Sequence, residues 1–223
     1  MIEAKHYDLE AVKYAYSRRA WLYSKTVALV EWQNHLIAID MANIQFGEKV
    51  LEVAVGPGLT IVELARRVGK DTTICGIDIA PGMLRLAAQR LQAHGFPNFE
   101  LIEADSRQLP FQENSFDVVY NAYMLDLIPT WDMPLILAEF RRVLRPGGRL
   151  VLLNMSKYDE SIITARERLY RLLPAKLALY LMGGCRPVLM ETGVKAAGFH
   201  DVKRIFLDGK MSSEIVLAMK PLV

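Results

Sequence analysis

The segment Gly56-Pro57-Gly58 ends a short apolar run, Lys49 to Val55, and opens a helical stretch from Leu59 to Val68. Glycines there let a ligand approach the backbone and the following helix N-terminus, whose unpaired N–H groups favour anionic or polar atoms. Asp78 follows Gly58 by twenty residues at the end of a second apolar run. That is the distance at which a carboxylate can grip the two hydroxyls of a ribose. Asp105-Ser106 and Asn121-Ala122 end two more such runs. Each group has an ordinary alternative: a tight turn for Gly-Pro-Gly, a helix cap for Asp78 ahead of Pro81, and a turn start for Asp105-Ser106. What argues for a site is that all four fall at strand ends of one inferred sheet.

The sheet is inferred from the alternation of elements. Val12, Tyr16, Ala20, Tyr23, Val27 and Val30 recur at three- and four-residue steps and predict a helix over about 9–40. Helices of this length often break, and the pattern does not place a break. Asn43 to Glu48 reads as a turn. Strands are expected at 49–55, 72–78, 99–105, 116–121 and 149–154, and helices at 59–68, 81–94 and about 133–144, the last stopped by Pro146-Gly147-Gly148. Strands separated by helices call for parallel pairing through right-handed crossovers. The runs 202–207 and 213–218 leave no room for a helix between them and predict an antiparallel hairpin. The expected fold is therefore α/β, doubly wound, with a mostly parallel seven-stranded sheet ending in an antiparallel hairpin and an N-terminal helical cap. In open sheets of this kind, ligands bind beyond the C-terminal strand ends.

The chain of 223 residues is 52% hydrophobic and 23% charged, which excludes a disordered protein and fits one domain. Within it we expect a cap over 1–45, a cofactor-binding core over 46–155, a helical lid over 156–187, and a C-terminal helix and hairpin over 188–223. Lys and Arg total 27 against 25 acids, so no global charge argues for nucleic acid. Only Cys75 and Cys185 occur, and Glu3, Asp8 and Glu10 stand where an export leader would need apolar residues. These features suggest a soluble, cytoplasmic protein.

A dinucleotide site would want a third glycine where Ile61 stands, and Glu52 is unusual inside its first strand. The run Val50-Leu-Glu-Val-Ala-Val-Gly-Pro-Gly58 instead resembles the acid-x-Gly-x-Gly-x-Gly loop of class I S-adenosylmethionine-dependent methyltransferases, with Ala54 in place of the first Gly. Gly76-Ile-Asp-Ile-Ala-Pro-Gly-Met-Leu84 is similar to that family's ribose-binding segment. Ala104-Asp-Ser106, Leu109-Pro-Phe111 and Ser115-Phe-Asp-Val-Val119 resemble its adenine-side motif, and Arg141 to Leu150 its hallmark before the fifth strand. The resemblance runs from about Val50 to Lys220 and is nearest to the ubiquinone/menaquinone-biosynthesis C-methyltransferase type. It implies S-adenosylmethionine as cofactor, held by Glu52, Ala54, Val55, Gly56, Gly58, Asp78, Ile79, Met83, Asp105, Ser106, Asn121 and Ala122, and no metal. Gly56 and its neighbours would face the methionine moiety, Asp78 the ribose and Asp105 the adenine amino group, with Asn121 near the methionine end.

Departures from the pattern bear on the acceptor. Quinone methyltransferases carry a Phe-Gly-x-Arg-Asn-like stretch where this chain has Tyr120 to Asp126, and a Tyr-Asp pair where it has Tyr23-Ser24. Asn121 to Met124 lacks the prolines of the nucleobase-methylating motif, and two cysteines are too few for arsenic methylation. The expected reaction is methyl transfer to a small apolar acceptor: a quinol, phenol or lipid amine. The alternatives are an NAD-type oxidoreductase and a non-catalytic nucleoside-binding protein. Asp126 is the candidate base, with turn capping as its alternative. Tyr16 and Tyr23 would face the substrate from the cap, while His6 and His35 read as surface or packing residues. Segments 11–30 and 156–187 carry local charges of +4 and +3 and leave −5 on the rest. Both are rich in apolar and aromatic residues, and Pro174 should split the second into two helices. They suit either a solvated lid or peripheral contact with an anionic membrane. Oligomeric state is not legible.

Overall fold

The structure is a computed structural model that describes the chain except residues 1, 2, 6, 210 and 223, and only the backbone of residues 9 and 18–31. Tyr23, Arg18, Arg19 and Lys25 therefore have side chains outside the described set, as does all of His6. Helix α1 (Leu9–Ala42) leads into β1 (Val50–Val53), α2 (Leu59–Val68), β2 (Ile74–Asp78), α3 (Pro81–Ala93), β3 (Phe99–Glu103) and β4 (Phe116–Ala122). Then come α4 (Met133–Val143), β5 (Leu144–Met155), α5 (Ala165–Leu172), α6 (Ala175–Met182), α7 (Glu191–Ala196), β6 (His200–Leu207) and β7 (Ser213–Met219).

The seven strands lie in the order β3-β2-β1-β4-β5-β7-β6. Strands β1 to β5 pair in parallel, and β7 runs antiparallel to both β5 and β6. The expected hairpin is present, with its second strand inserted beside β5. Register brings the functional ends level, since Val53 pairs with Ile77 on one side and Asn121 on the other. Apolar side chains fill both faces. One core holds Phe140, Val143, Val188 and Phe199 from the α4 and α7 side; the other holds Ile39, Ile61, Leu64 and Leu91 from α1, α2 and α3. Strands buried on both faces read as nearly continuous apolar runs, which is why they stood out in the sequence.

Three elements differ from the expectation. Helix α1 is unbroken over 34 residues and ends at Asn43, whose left-handed φ of 48° closes it. Asparagine tolerates that conformation better than most residues. Strand β1 stops at Val53 because Ala54 turns to φ +63°. Helix α4 ends at Val143 before Pro146-Gly147-Gly148, and those residues form a bulge inside β5, whose Leu144 already pairs with Phe116. Lys220 fixes that early strand start by donating to the Leu144 carbonyl at 2.6 Å.

Gly82 lets α1 approach α3, since a Cβ there would lie 2.9 Å from the Ser17 Cα. The first part of α1, with Val12 and Tyr16, thus lies over the C-terminal edge of the sheet, whereas Ile39 and Ala42 near its end pack in the core. Pro174 does separate α5 from α6. Helix α5 begins with a capping box between Thr164 and Glu167, and the same Glu167 meets Lys157 at 2.9 Å with both side chains almost wholly buried. Lys157 also donates to the Ile162 carbonyl at 2.9 Å. Among the described residues, no helix is long and apolar enough to cross a membrane.

Candidate active site

The C-terminal ends of β1, β2 and β4 and the loop after β3 surround a cavity of about 420 Å³. One side is built by the turn after β1. Ala54 and Gly56 both take left-handed φ, +63° and +53°, and aim successive backbone groups at the end of β2. There the Gly56 N–H donates to Asp78 Oδ2 at 2.9 Å, and the Ala80 N–H donates to Asp78 Oδ1 at 2.8 Å. Burial pushes the Asp78 carboxyl up to about 6, while those N–H groups hold it back from rising further. Each oxygen keeps a lone pair, so the carboxylate can accept two more hydrogen bonds from a vicinal diol.

The loop after β3 supplies Ala104, Asp105, Ser106 and Arg107. Burial raises the Asp105 carboxyl, but hydrogen bonds and charge from Arg107 outweigh it and hold the group below its usual range. Arg107 grips Asp105 at 2.6 Å and reaches Asp132 at 3.2 Å. The opposite wall is largely apolar and aromatic, formed by Val12 and Tyr16 of α1 together with Met124, Leu127, Ile128 and Trp131 of the loop after β4. The Tyr16 hydroxyl donates to the Gly183 carbonyl at 2.8 Å, tying α1 to the end of α6. Tyr7, also lining the cavity, shares a 3.1 Å hydrogen bond with Tyr170 of α5. Burial raises the Tyr7 phenol far above its ordinary value, so it stays protonated.

Of the residues singled out in the sequence, Ala54, Gly56, Asp78, Ile79, Met83, Asp105, Ser106, Ala122 and Tyr16 line this cavity together. Glu52 and Val55 do not; they line a smaller adjoining cavity of about 60 Å³ beside Trp32, His35 and Thr60. His35 is a packing residue as expected of it, bonded through Nδ1 to the Tyr120 and Thr60 hydroxyls at 3.0 and 3.1 Å. Burial and the neighbouring Asp78 raise Glu52 well above the usual carboxyl range, and its Oε2 has no partner.

Three more of the expected residues lie outside the larger cavity. Gly58 faces α3 rather than the cavity: a Cβ there would lie 2.5 Å from the Ala87 Cα. Its lack of a side chain serves helix packing. Asn121 is completely buried beneath the floor, donating to the Val53 carbonyl at 2.9 Å, with its Oδ1 unpartnered. Asp126 is also completely buried and lines neither cavity. Burial pushes its carboxyl up to about 7, and fully buried Arg186 donates to its main-chain carbonyl at 2.9 Å, fixing the loop from behind. The sequence reading missed Tyr7, Arg107, Tyr123, Trp131 and Asp132. All but Tyr7 follow strand ends already marked as ligand-facing: Arg107 and Tyr123 are the next residue in each loop, whereas Trp131 and Asp132 lie at the far end of the loop before α4. Nothing in the pattern before α1 signals Tyr7.

This strand order, with a glycine-bearing turn and a carboxylate at adjacent strand ends, defines a class I, Rossmann-like methyltransferase fold. Residues 50–148 match the family described as a methyltransferase domain. The chain is 33% identical over 139 residues to the demethylmenaquinone methyltransferase of Geobacillus stearothermophilus, covering 60% of this chain and 58% of the relative. It is 36% identical over 146 residues to the ubiquinone/menaquinone biosynthesis C-methyltransferase of Hahella chejuensis, covering 65% and 56%. The match thus spans little more than half the length of these curated relatives. A SAM-dependent methyltransferase from Aquifex aeolicus shares the fold with a TM-score of 0.65 at 18% identity, over 96% of this chain and all of that one.

Proposed function

We propose that the protein transfers a methyl group from S-adenosylmethionine to a small apolar acceptor of the quinol, phenol or lipid-amine class. The observation that carries this reading is Asp78, clamped between the Gly56 and Ala80 N–H groups on one side of a cavity whose far wall is apolar. The residues present suit the cofactor. A Cβ on Gly56 would meet no protein atom within 4 Å, so the space over it is open to a ligand. Glu52 Oε2 and Asn121 Oδ1 are buried acceptors without partners beside that turn. A cation bound there would bring the Glu52 carboxyl back toward its ionised form. Asp78 would hold the ribose, Asp105 with Ser106 the adenine edge, and Ile79 and Met83 the apolar faces between them.

When bound, the sulfonium supplies an activated methyl group. The chain's own task is then to align an acceptor atom with it and to exclude water. Met124, Leu127, Ile128 and Trp131 would give the acceptor an apolar bed, with α1 as a cap; α5 and α6 line none of the cavity and brace it from outside through the bonds of Tyr170 to Tyr7 and of Gly183 to Tyr16. The described part of that wall offers protonated Tyr7 and no histidine, and Asp126 is shielded. These residues favour an acceptor whose nucleophilic atom arrives already ionised or electron-rich, as a phenolate or quinol carbon is. The same reading places the protein in the cytoplasm at the periphery of an anionic membrane, where such acceptors dissolve. A dinucleotide fits less well, because buried Ile61 fills the space beside Gly76 that a third glycine would open.

Calorimetry against S-adenosylmethionine, its demethylated product and NAD tests the cofactor; binding of the first two but not the third is expected. A screen of quinols, phenols and phospholipid amines should then yield an acceptor heavier by one methyl. Binding of NAD alone would overturn the reading, and cofactor binding without any methylated acceptor would favour the non-catalytic alternative.

A further inference from the structure

Helices α5 and α6 pack against each other through Tyr170, Leu173, Ala178 and Met182, and bury little else. Their outer side presents Leu169, Leu172, Leu177, Tyr180 and Leu181, with Leu172 82% and Leu181 62% exposed. Isolated exposed leucines are ordinary, but five large apolar side chains on one sixteen-residue helical pair, Ala165–Leu172 and Ala175–Met182, are a patch. Arg166, Arg168, Arg171 and Lys176 are exposed on the same pair. The one acid between Ala165 and Met182 is Glu167, which is buried and neutralised by Lys157. The exposed face is therefore cationic and apolar at once, on a chain whose other residues sum to −1. Such a face complements anionic head groups over an acyl interior, with leucines inserted and bases held at head-group level.

We propose that the outer face of α5–α6 docks the protein onto an anionic lipid bilayer. This inference rests on the reading of an apolar acceptor and adds how that acceptor reaches the cavity. The connection is structural: the same Tyr170 that anchors α5 bonds to cavity-lining Tyr7 and accepts from the Lys5 N–H at 2.9 Å, and the end of α6 is tied to Tyr16. A membrane against this face lies beside the acceptor side of the cavity. Of the basic residues of α1, Lys13 is engaged by Glu10 and Glu103 at 3.5 and 3.3 Å.

The test is co-sedimentation of the full chain with vesicles of phosphatidylcholine alone or with about one third phosphatidylserine, at low and high salt. Binding to anionic vesicles that weakens with salt is expected. Each basic residue near such a surface changes partitioning about five-fold, so Arg168→Glu with Arg171→Glu should reduce binding by at least a hundred-fold, roughly. Leu172→Asn with Leu181→Asn should also release the protein, with all charges intact. All four sites are exposed, so thermal stability and calorimetric affinity for S-adenosylmethionine should not move. Wild-type protein that ignores anionic vesicles at low salt, or variants that bind as well as wild type, would overturn the proposal. A dimer that Leu172→Asn dissociates would assign the face to a second copy instead. Lost vesicle binding with normal cofactor affinity would leave methyl transfer standing; failure to bind the cofactor would remove that reading whatever the vesicles show.

Discussion

Replacing Asp78 by asparagine should make the ligand-free protein more stable and the cofactor complex weaker. A carboxyl held at about 6 rather than its ordinary 3.8 marks an ionised form that folding disfavours at neutral pH, by about 3 kcal/mol at 1.36 kcal/mol per decade. Asparagine removes that cost. Its single oxygen can accept from only one of the Gly56 and Ala80 N–H groups, and the loss of the other returns about 1–2 kcal/mol. The net gain is about 1–2 kcal/mol, or roughly 3–6 °C in Tm for a chain of this size. The sign has a pH signature. Because the folded pKa is raised, the wild-type native state holds a proton between pH 6 and 3.8 that the unfolded chain does not. Wild type therefore gains stability as pH falls through 6, and the advantage of the Asp78→Asn variant is largest at pH 7 and disappears in acid. In the complex, two hydrogen bonds to a charged acceptor, each about 1.5–3 kcal/mol, are weakened together, so affinity should fall on the order of a hundred-fold. Scanning calorimetry without ligand and titration calorimetry with S-adenosylmethionine read the two effects. A lower Tm with unchanged affinity would refute the reasoning and reduce Asp78 to a cap for the turn before α3.

The same carboxyl predicts that cofactor affinity is flat from pH 8 to 7 and weakens below about 6, where binding must displace a proton; constant affinity down to pH 5 would contradict it. The two glycines should separate cleanly. Gly56→Ala meets no protein atom within 4 Å and costs about 1–2 kcal/mol for its left-handed backbone, yet it should lower cofactor affinity, whereas Gly58→Ala drives a Cβ into Ala87 and should destabilise the fold by about 3 kcal/mol before any ligand is added. Lys157→Met leaves Glu167 buried without its partner and should cost about 3–5 kcal/mol by urea denaturation, most of it recovered by adding Glu167→Leu.

Much of this arrangement was legible because it is local. The buried strands are short apolar runs, and Gly56, Asp78, Asp105 and Ala122 fall at strand ends that the alternation of elements already put on one edge. What the pattern concealed depends on partners distant in sequence. Gly58 looks like a ligand-facing glycine until Ala87 of α3 is brought against it. Asp126 looks like a base until Arg186, sixty residues on, is found behind its loop. Lys157 and Arg186 count as surface charge in a composition window, but both are buried, one by an ion pair and one by main-chain carbonyls. A residue's type announces the chemistry it can do; its face is decided by what packs on it.

The strained positions follow the same logic and point back to the site. Ala54 and Tyr123 take left-handed φ of +63° and +49°, each immediately or nearly after a strand end, on the adjacent strands β1 and β4. Neither is glycine, so each conformation costs about 1 kcal/mol or more. Both residues line the cavity, and each strain has a local hold: the Gly56 N–H anchored on Asp78 after Ala54, and the Tyr123 N–H bonded to the Leu153 carbonyl at 2.7 Å. At these two turns the chain leaves the sheet, and the residues around and beyond them line the cavity: Ala54 and Gly56 on one flank, and Met124, Leu127, Ile128 and Trp131 on the other. The distorted turns are therefore the geometric reason that a polar backbone flank and an apolar wall face one cavity at this edge, as the proposed methyl transfer would require, and the regular sheet beneath them supplies the stability to hold them there.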